Sequence, residues 1–293
     1  MGEKLGMIGL GKMGLPLSRQ LLADGHAVCG YDIDPARTRL LVEAGGSAAA
    51  SAKEVAENSD ITFSILMKPE HVEENTLGPN GIAAAGKANL IHVEMSTMYP
   101  DWQRALAGKL AERGIAMLDA PISGSHNRVD ARTISFMVGG DANTFERVRP
   151  ILEPLAVDVT HTGPSGSGAT MKIVINLFVT ASAAVLAETV LVGEHAGLDK
   201  DIMKKCMAVS TVQGMMFNQI GMRLLTRDFA PRGAIDVYVK DSGLAIDLAK
   251  TCGIDLQVVP AARGMFLRAQ AAGWGEDDAA RVIEVYEGKD RPE

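Results

Sequence analysis

MIGLGKMGLPLSRQL, residues Met7 to Leu21, sets a glycine turn between a short apolar run and an amphipathic one. Within it Gly9, Leu10, Gly11, Lys12, Met13 and Gly14 match GxGxxG, a pattern that means little alone in a chain with 31 glycines. The flanks supply the meaning. Lys4 to Ile8 reads as a strand, Leu15 to Asp24 as a helix with Pro16 in its first turn, and Ala27 to Tyr31 as a second strand. Asp32 follows that strand, 18 residues beyond Gly14. Strand, glycine turn, helix, strand and acid in this order form the opening unit of a doubly wound, mostly parallel sheet.

Each position in the turn has a physical task. Gly9 permits the tight bend, Gly11 admits a pyrophosphate to the backbone, and Gly14 allows close packing. The uncapped N–H groups and positive dipole end of the following helix favour an anion there. Asp32 is placed to accept the adenosine ribose hydroxyls and to repel an extra phosphate, so NAD is the expected cofactor. NADP remains possible through Arg37 and Arg39, and a flavin dinucleotide uses the same fingerprint.

Bulk properties narrow the remaining classes. The 293 residues carry 29 basic and 36 acidic side chains, a net charge of −7, without the basic run that a nucleic-acid partner requires. Cys29, Cys206 and Cys252 are odd in number and far apart, pointing to a reducing, cytoplasmic setting. The start lacks a secretory profile. The longest uncharged apolar stretch, Ile173 to Ala187, is 15 residues against the roughly 20 that span a bilayer, so no membrane association is expected. The histidines show no metal-ligand spacing, and no metal is expected.

Further strands are predicted at Ile61 to Leu66, Leu90 to Glu94, Ala116 to Ala120 and Ser135 to Val138. Helices are predicted at Pro35 to Ala44, Ala52 to Asn58 and Pro100 to Arg113. At His161 to Gly168 the texture changes to HTGPSGSG, after which strand signals nearly vanish. Helical segments follow at about 169–196, 200–208, 212–225, 235–252, 259–272 and 276–287. The expected organisation is an α/β dinucleotide-binding domain over residues 1–162 and an all-α domain over 163–293, joined by a long helix. Because Met171 to Leu191 is apolar on nearly all faces, that helix should be enclosed by others or by a second subunit, which predicts a homodimer or homotetramer.

The Met7 to Leu21 stretch resembles the N-terminal signature of the β-hydroxyacid dehydrogenases, the family of 3-hydroxyisobutyrate dehydrogenase and tartronate semialdehyde reductase. EMST (Glu94 to Thr97), DAPISGS (Asp119 to Ser125), GPSGSGATMKIVIN (Gly163 to Asn176) and Val239-Lys240-Asp241 extend the likeness in the family's order. The resemblance implies a Rossmann domain, a long linking helix, a helical domain and an active site in the cleft between them. It also implies that Ser96, Thr97 and Lys240 lie near the nicotinamide, that Ser123, Gly124 and Ser125 bind the substrate carboxylate, that Asn176 holds the substrate, and that Lys172 is catalytic. The implied reaction is hydride transfer between NAD(P) and a small β-hydroxy acid or its semialdehyde.

The residues themselves lead partway to the same site. Lys172 is the only charged residue from Gly163 until Glu188, a costly placement in an apolar helix unless it has a task. It shares a helical face with Asn176 four positions on. Desolvation would lower its pKa toward working pH and suit it to proton transfer. The alternative is a lysine that snorkels to solvent.

Some residues depart from the family pattern. Leu66-Met67 stands where the family commonly has Leu-Pro over the cofactor, Glu94 replaces the usual aspartate with little expected consequence, and Arg132 occupies a position where glycine is common. His126 and Arg128 follow the carboxylate loop and could bind a second anionic group on the substrate, or form a solvated loop. Two other functions remain open: imine reduction on the same scaffold, and a non-catalytic dinucleotide sensor or scaffold.

Overall fold

The computed structural model describes residues 3–290, which form two compact units dividing after Lys172. The first opens with β1 (Lys4–Ile8), α1 (Gly14–Ala23), β2 (Ala27–Tyr31), α2 (Pro35–Glu43), β3 (Ser47–Ala48), α3 (Ala52–Glu57), β4 (Ile61–Ser64), α4 (Pro69–Leu77), β5 (Ile91–Glu94), α5 (Pro100–Ala111) and β6 (Ala116–Asp119). These six strands lie parallel in the order β3-β2-β1-β4-β5-β6, as expected of a doubly wound nucleotide-binding sheet. Side chains alternate across it. Leu5 and Met7 enter a core with Phe63, Val93 and Leu118, while Ile8 joins Val55, Val72 and Leu106 on the other face.

After β6 the direction changes. A short β7 (Ile122–Ser123), α6 (His126–Asp130), β8 (Ile134–Gly139), α7 (Ala142–Leu152) and β9 (Ala156–Gly163) complete a nine-stranded sheet. β8 runs antiparallel to both β6 and β7 and parallel to β9. β9 gives no apolar run in the sequence because it lies at the edge, half exposed along most of its length. Predicted and observed element ends differ by only one or two residues in most cases, the usual fraying of strand and helix termini.

The second unit is helical. It takes in most of α8 (Ser167–His195), then α9 (Lys200–Ala208), α10 (Met222–Thr226), α11 (Ile235–Thr251), α12 (Val258–Ala269) and α13 (Val282–Tyr286). The predicted segment at 212–225 is divided: a wide turn at Phe217–Gly221 leads into α10. Ala183, Leu186, Ala187, Val190 and Leu191 of α8 share one core with Phe217, Leu224, Ile235, Phe266 and Ile283.

At 29 residues α8 is nearly twice the uncharged stretch seen in the sequence, and by length and composition alone it could cross a bilayer. Its burial of Asn176 and Thr180, together with its alanine-rich packing into that core, makes it the central helix of the unit.

Candidate active site

The dinucleotide turn is built at the carboxyl end of β1, where the sheet order reverses between β1 and β4. Gly9 has φ +89°, a conformation that L side chains rarely adopt, and its N–H donates to Tyr31 O at 2.9 Å. A Cβ on Gly14 would lie 1.9 Å from the Gly9 carbonyl oxygen, and one on Gly9 would lie 2.6 Å from Ile65 O. Only glycine lets the turn fold back on its own helix. Met13 precedes α1 without a side-chain cap and the first turn holds no acid, so the helix's positive end is open to an anion.

Asp32 braces this turn. One carboxylate oxygen accepts Leu10 N–H at 2.7 Å and the other accepts Asp34 N–H at 2.9 Å. Beside it an open hollow of about 570 Å³ is lined by Tyr31, Asp32, Ile33, Thr38, Arg39 and Val42, room for an adenosine next to a fixed negative charge. These features fit a nicotinamide dinucleotide: a cradle that a Cβ would fill, an uncapped helix end and a carboxylate at the end of β2 beside an open hollow.

The ends of β4 and β5 carry a buried polar chain that the sequence did not announce. Glu94, fully buried, accepts Ser96 N–H at 2.7 Å and also the Ser64 hydroxyl. The Ser96 hydroxyl in turn accepts Leu66 N–H at 2.8 Å. His92, also fully buried, lies between Thr62 Oγ1 at 3.0 Å and Ser64 Oγ at 3.1 Å, with Glu94 3.7 Å away. Leu66 and Ser96 are therefore joined by a bonded path, while Met67 is exposed and Thr97 half buried. Glu94, the acid standing in place of the family's usual aspartate, is the acceptor on which this chain converges. Its only signal in the sequence was an acid closing an apolar strand.

The segment after β6 places the residues assigned to the substrate acid. Ser123 pairs with Ser135 across β7 and β8. Gly124 takes φ +133°, and an added Cβ would meet Ile134 Cγ2 at 3.0 Å, so a side chain there is strained as well as crowded. Ser125 precedes α6, and His126, half buried, opens it. The Arg128 guanidinium is turned toward the Thr133 carbonyl and hydroxyl. Arg132 has φ +55°, the conformation in which a glycine is ordinarily favoured, and is held there by Asp24 at 2.8 Å and Pro154 O at 2.8 Å.

Lys172 stands six residues into α8, half buried, as the last residue of the first unit. The start of this helix is received by Asp119, whose oxygens accept Gly166 N–H at 2.7 Å and Ala169 N–H at 2.9 Å. Burial raises the Asp119 carboxyl above its usual range, and the backbone N–H groups offset only part of that effect. Within the second unit, buried Asn176 donates to Asp241 at 2.6 Å, and Lys240 Nζ lies 3.4 Å from the other Asp241 oxygen. Asp241 thus orients both residues that the resemblance connected with substrate and nicotinamide. Asp119 and Asp241 both lay inside quoted motifs without a role.

Comparison with known proteins gives a consistent result. Residues 4–163 match the family described as the NAD binding domain of 6-phosphogluconate dehydrogenase. Residues 166–286 match the family described as NAD-binding of NADP-dependent 3-hydroxyisobutyrate dehydrogenase. The chain is similar to 2-(hydroxymethyl)glutarate dehydrogenase of Eubacterium barkeri, 34% identical over 97% of this chain and 95% of that one. It is also similar to L-threonate dehydrogenase of Cupriavidus necator, 31% identical over 100% and 99%. A crystal structure of 3-hydroxyisobutyrate dehydrogenase from Salmonella typhimurium superposes with a TM-score of 0.88 at 29% identity, covering 97% of this chain and 99% of that one.

Proposed function

The chain belongs to the β-hydroxyacid dehydrogenase family and is an NAD(P)-dependent oxidoreductase of small hydroxy acids, and from that premise we propose that Lys172 is its general acid and base. The observation that carries the reading is a half-buried lysine, the first charge on α8 and the only one before Glu188, whose helix has its first turn fixed to the strand that leads into Ser123 and Gly124. The bound nicotinamide supplies or accepts the hydride. Lys172 Nζ takes the hydroxyl proton as the carbonyl forms and returns it in the reduction direction. The backbone at Ser123, Gly124 and Ser125 holds the acid, and Asn176, oriented by Asp241, holds the hydroxyl end of the substrate. Ser96, Thr97, Leu66, Met67 and Lys240 border the nicotinamide. NAD is preferred over NADP in this reading because a carboxylate next to the glycine turn, as Asp32 is, repels an additional ribose phosphate.

A second anionic group on the substrate is the finer reading. His126 opens α6 directly after the acid-binding backbone, Arg128 adds charge two residues on, and the Eubacterium barkeri relative is named for a glutarate skeleton, a dicarboxylate. We also assign the exposed stripe of α8, Val174, Phe178, Val185 and Val192, to contact with a second copy of the chain.

Nicotinamide absorbance, followed with NAD or NADP and a panel of mono- and dianionic hydroxy acids, tests the reading. In this assay Lys172→Ala is expected to lower kcat by about 10²- to 10⁴-fold while leaving dinucleotide affinity nearly intact. An alanine variant as active as the parent removes the lysine from the mechanism.

A further inference from the structure

Asp119 is fully buried at the end of β6, and among the described residues no arginine or lysine forms an ion pair with it. Its partners are backbone N–H groups of the turn that starts α8. Gly166 N–H meets one oxygen and Ala169 N–H the other, and Gly168 adds a third bond. The remaining donors of that turn are met locally, Ser167 N–H by Pro164 O at 3.0 Å and Thr170 N–H by Gly166 O at 3.0 Å. The helix therefore begins on a carboxylate lent by a strand 47 residues earlier in the chain. An anion at this end also suits the helix dipole.

Glycines make the approach possible. A Cβ on Gly168 would stand 2.3 Å from Met137 O and 2.5 Å from Asp119 O, and one on Gly139 would stand 2.6 Å from an Asp119 carboxylate oxygen. Strand end and helix start are in direct backbone contact, with no side chain between them to absorb a shift. Two functional segments leave this junction. Ser123 and Gly124 follow Asp119 by four and five residues, and Lys172 follows Ala169 by three, within the next helical turn.

We propose that Asp119 is a positioning residue for the reaction: by holding the first turn of α8 against β6, it fixes Lys172 relative to the backbone that binds the substrate acid. This rests on the reading of Lys172 and the Ser123 segment given above. Asp119 touches no reacting atom, and it acts through the lysine. Because burial raises the carboxyl in the folded protein above its unfolded value, the ionised form opposes folding at any pH above the folded value.

Asp119→Asn keeps the shape but presents an NH2 group to one of the helix N–H groups, so that one bond is lost and a donor faces a donor. A displacement of the lysine on the order of 1 Å lowers turnover by about 10- to 100-fold. The experiment measures kcat, NADH affinity by fluorescence titration and the thermal midpoint for the parent, Asp119→Asn, Asp119→Ser, Lys172→Ala and the double variant Asp119→Asn/Lys172→Ala. The serine variant retains one acceptor and guards against a folding failure of the first.

The expected result is a loss of kcat by at least about tenfold in Asp119→Asn or Asp119→Ser, with NADH affinity kept within roughly threefold. The asparagine change is also expected to have little further effect once Lys172 is absent. An Asp119→Asn enzyme with parental kcat overturns the positioning role alone. So does an additive double variant, or loss of NADH binding, turnover and cooperative unfolding together in both Asp119 single variants, which would leave only a folding role. A fully active Lys172→Ala overturns the reading of the lysine and the positioning role with it.

Discussion

Replacing Gly14 by alanine puts a Cβ 1.9 Å from the Gly9 carbonyl oxygen, in a turn where Ile65 Cγ2 already stands 3.3 Å from the same point. A contact below 3.0 Å is essentially never tolerated, so the start of α1 and the glycine turn must separate by about 1 Å. Overpacking of this kind costs about 1–3 kcal/mol of stability, partly offset by the better helix propensity of alanine. The larger effect falls on the cofactor. An N–H donor moved by about 1 Å from a pyrophosphate oxygen no longer makes a hydrogen bond. Each such bond to a charged group is worth about 1.5–3 kcal/mol, or roughly 10- to 150-fold in Kd.

NADH fluorescence titration reads the affinity, and chemical denaturation reads the stability. Gly25→Ala is the control. Gly25 has φ +87° but no atom within 4 Å of an added Cβ, so its replacement should cost about 1–2 kcal/mol of stability through backbone strain without weakening NADH binding. A Gly14→Ala protein that binds NADH as tightly as the parent would refute the placement of the pyrophosphate at this turn.

Two further predictions concern the helical unit. Burial pushes the Glu194 and Glu287 carboxyls up, but Arg227 together with Lys200 and Lys289 outweighs it, and both end below their usual range. Their folded values being depressed, they contribute stability above the ordinary glutamate range that is lost as pH falls through the folded values; urea midpoints should decline on acidification, and Glu194→Gln/Glu287→Gln should flatten the decline. An unchanged slope would remove the Arg227 cluster from the pH response. Phe178, 65% exposed on α8, is expected to lie in the contact between copies, so Phe178→Asp should shift the protein to a smaller species in analytical ultracentrifugation, and an unaltered sedimentation profile would locate the contact elsewhere.

The sequence determined what acts over short range. Apolar runs of strand length, glycines after helices and the spacing from Gly9 to Asp32 specified the parallel half of the sheet. The disappearance of strand signals after Gly168 specified the helical half. These features were legible because propensity and periodicity operate among residues within a turn or two of each other.

The tertiary structure decided the rest. It reversed β8 against β6 and added β9 as a half-exposed edge strand whose side chains do not advertise burial. It also brought Asp119 to Gly166 across 47 positions, Asn176 to Asp241 across 65, and Ser64 to Glu94 across 30. A buried carboxylate must find donors wherever packing leaves them, and that search has no spacing rule. Residue types could therefore be nominated from the chain alone, while the groups that hold them in place became visible only in the folded molecule.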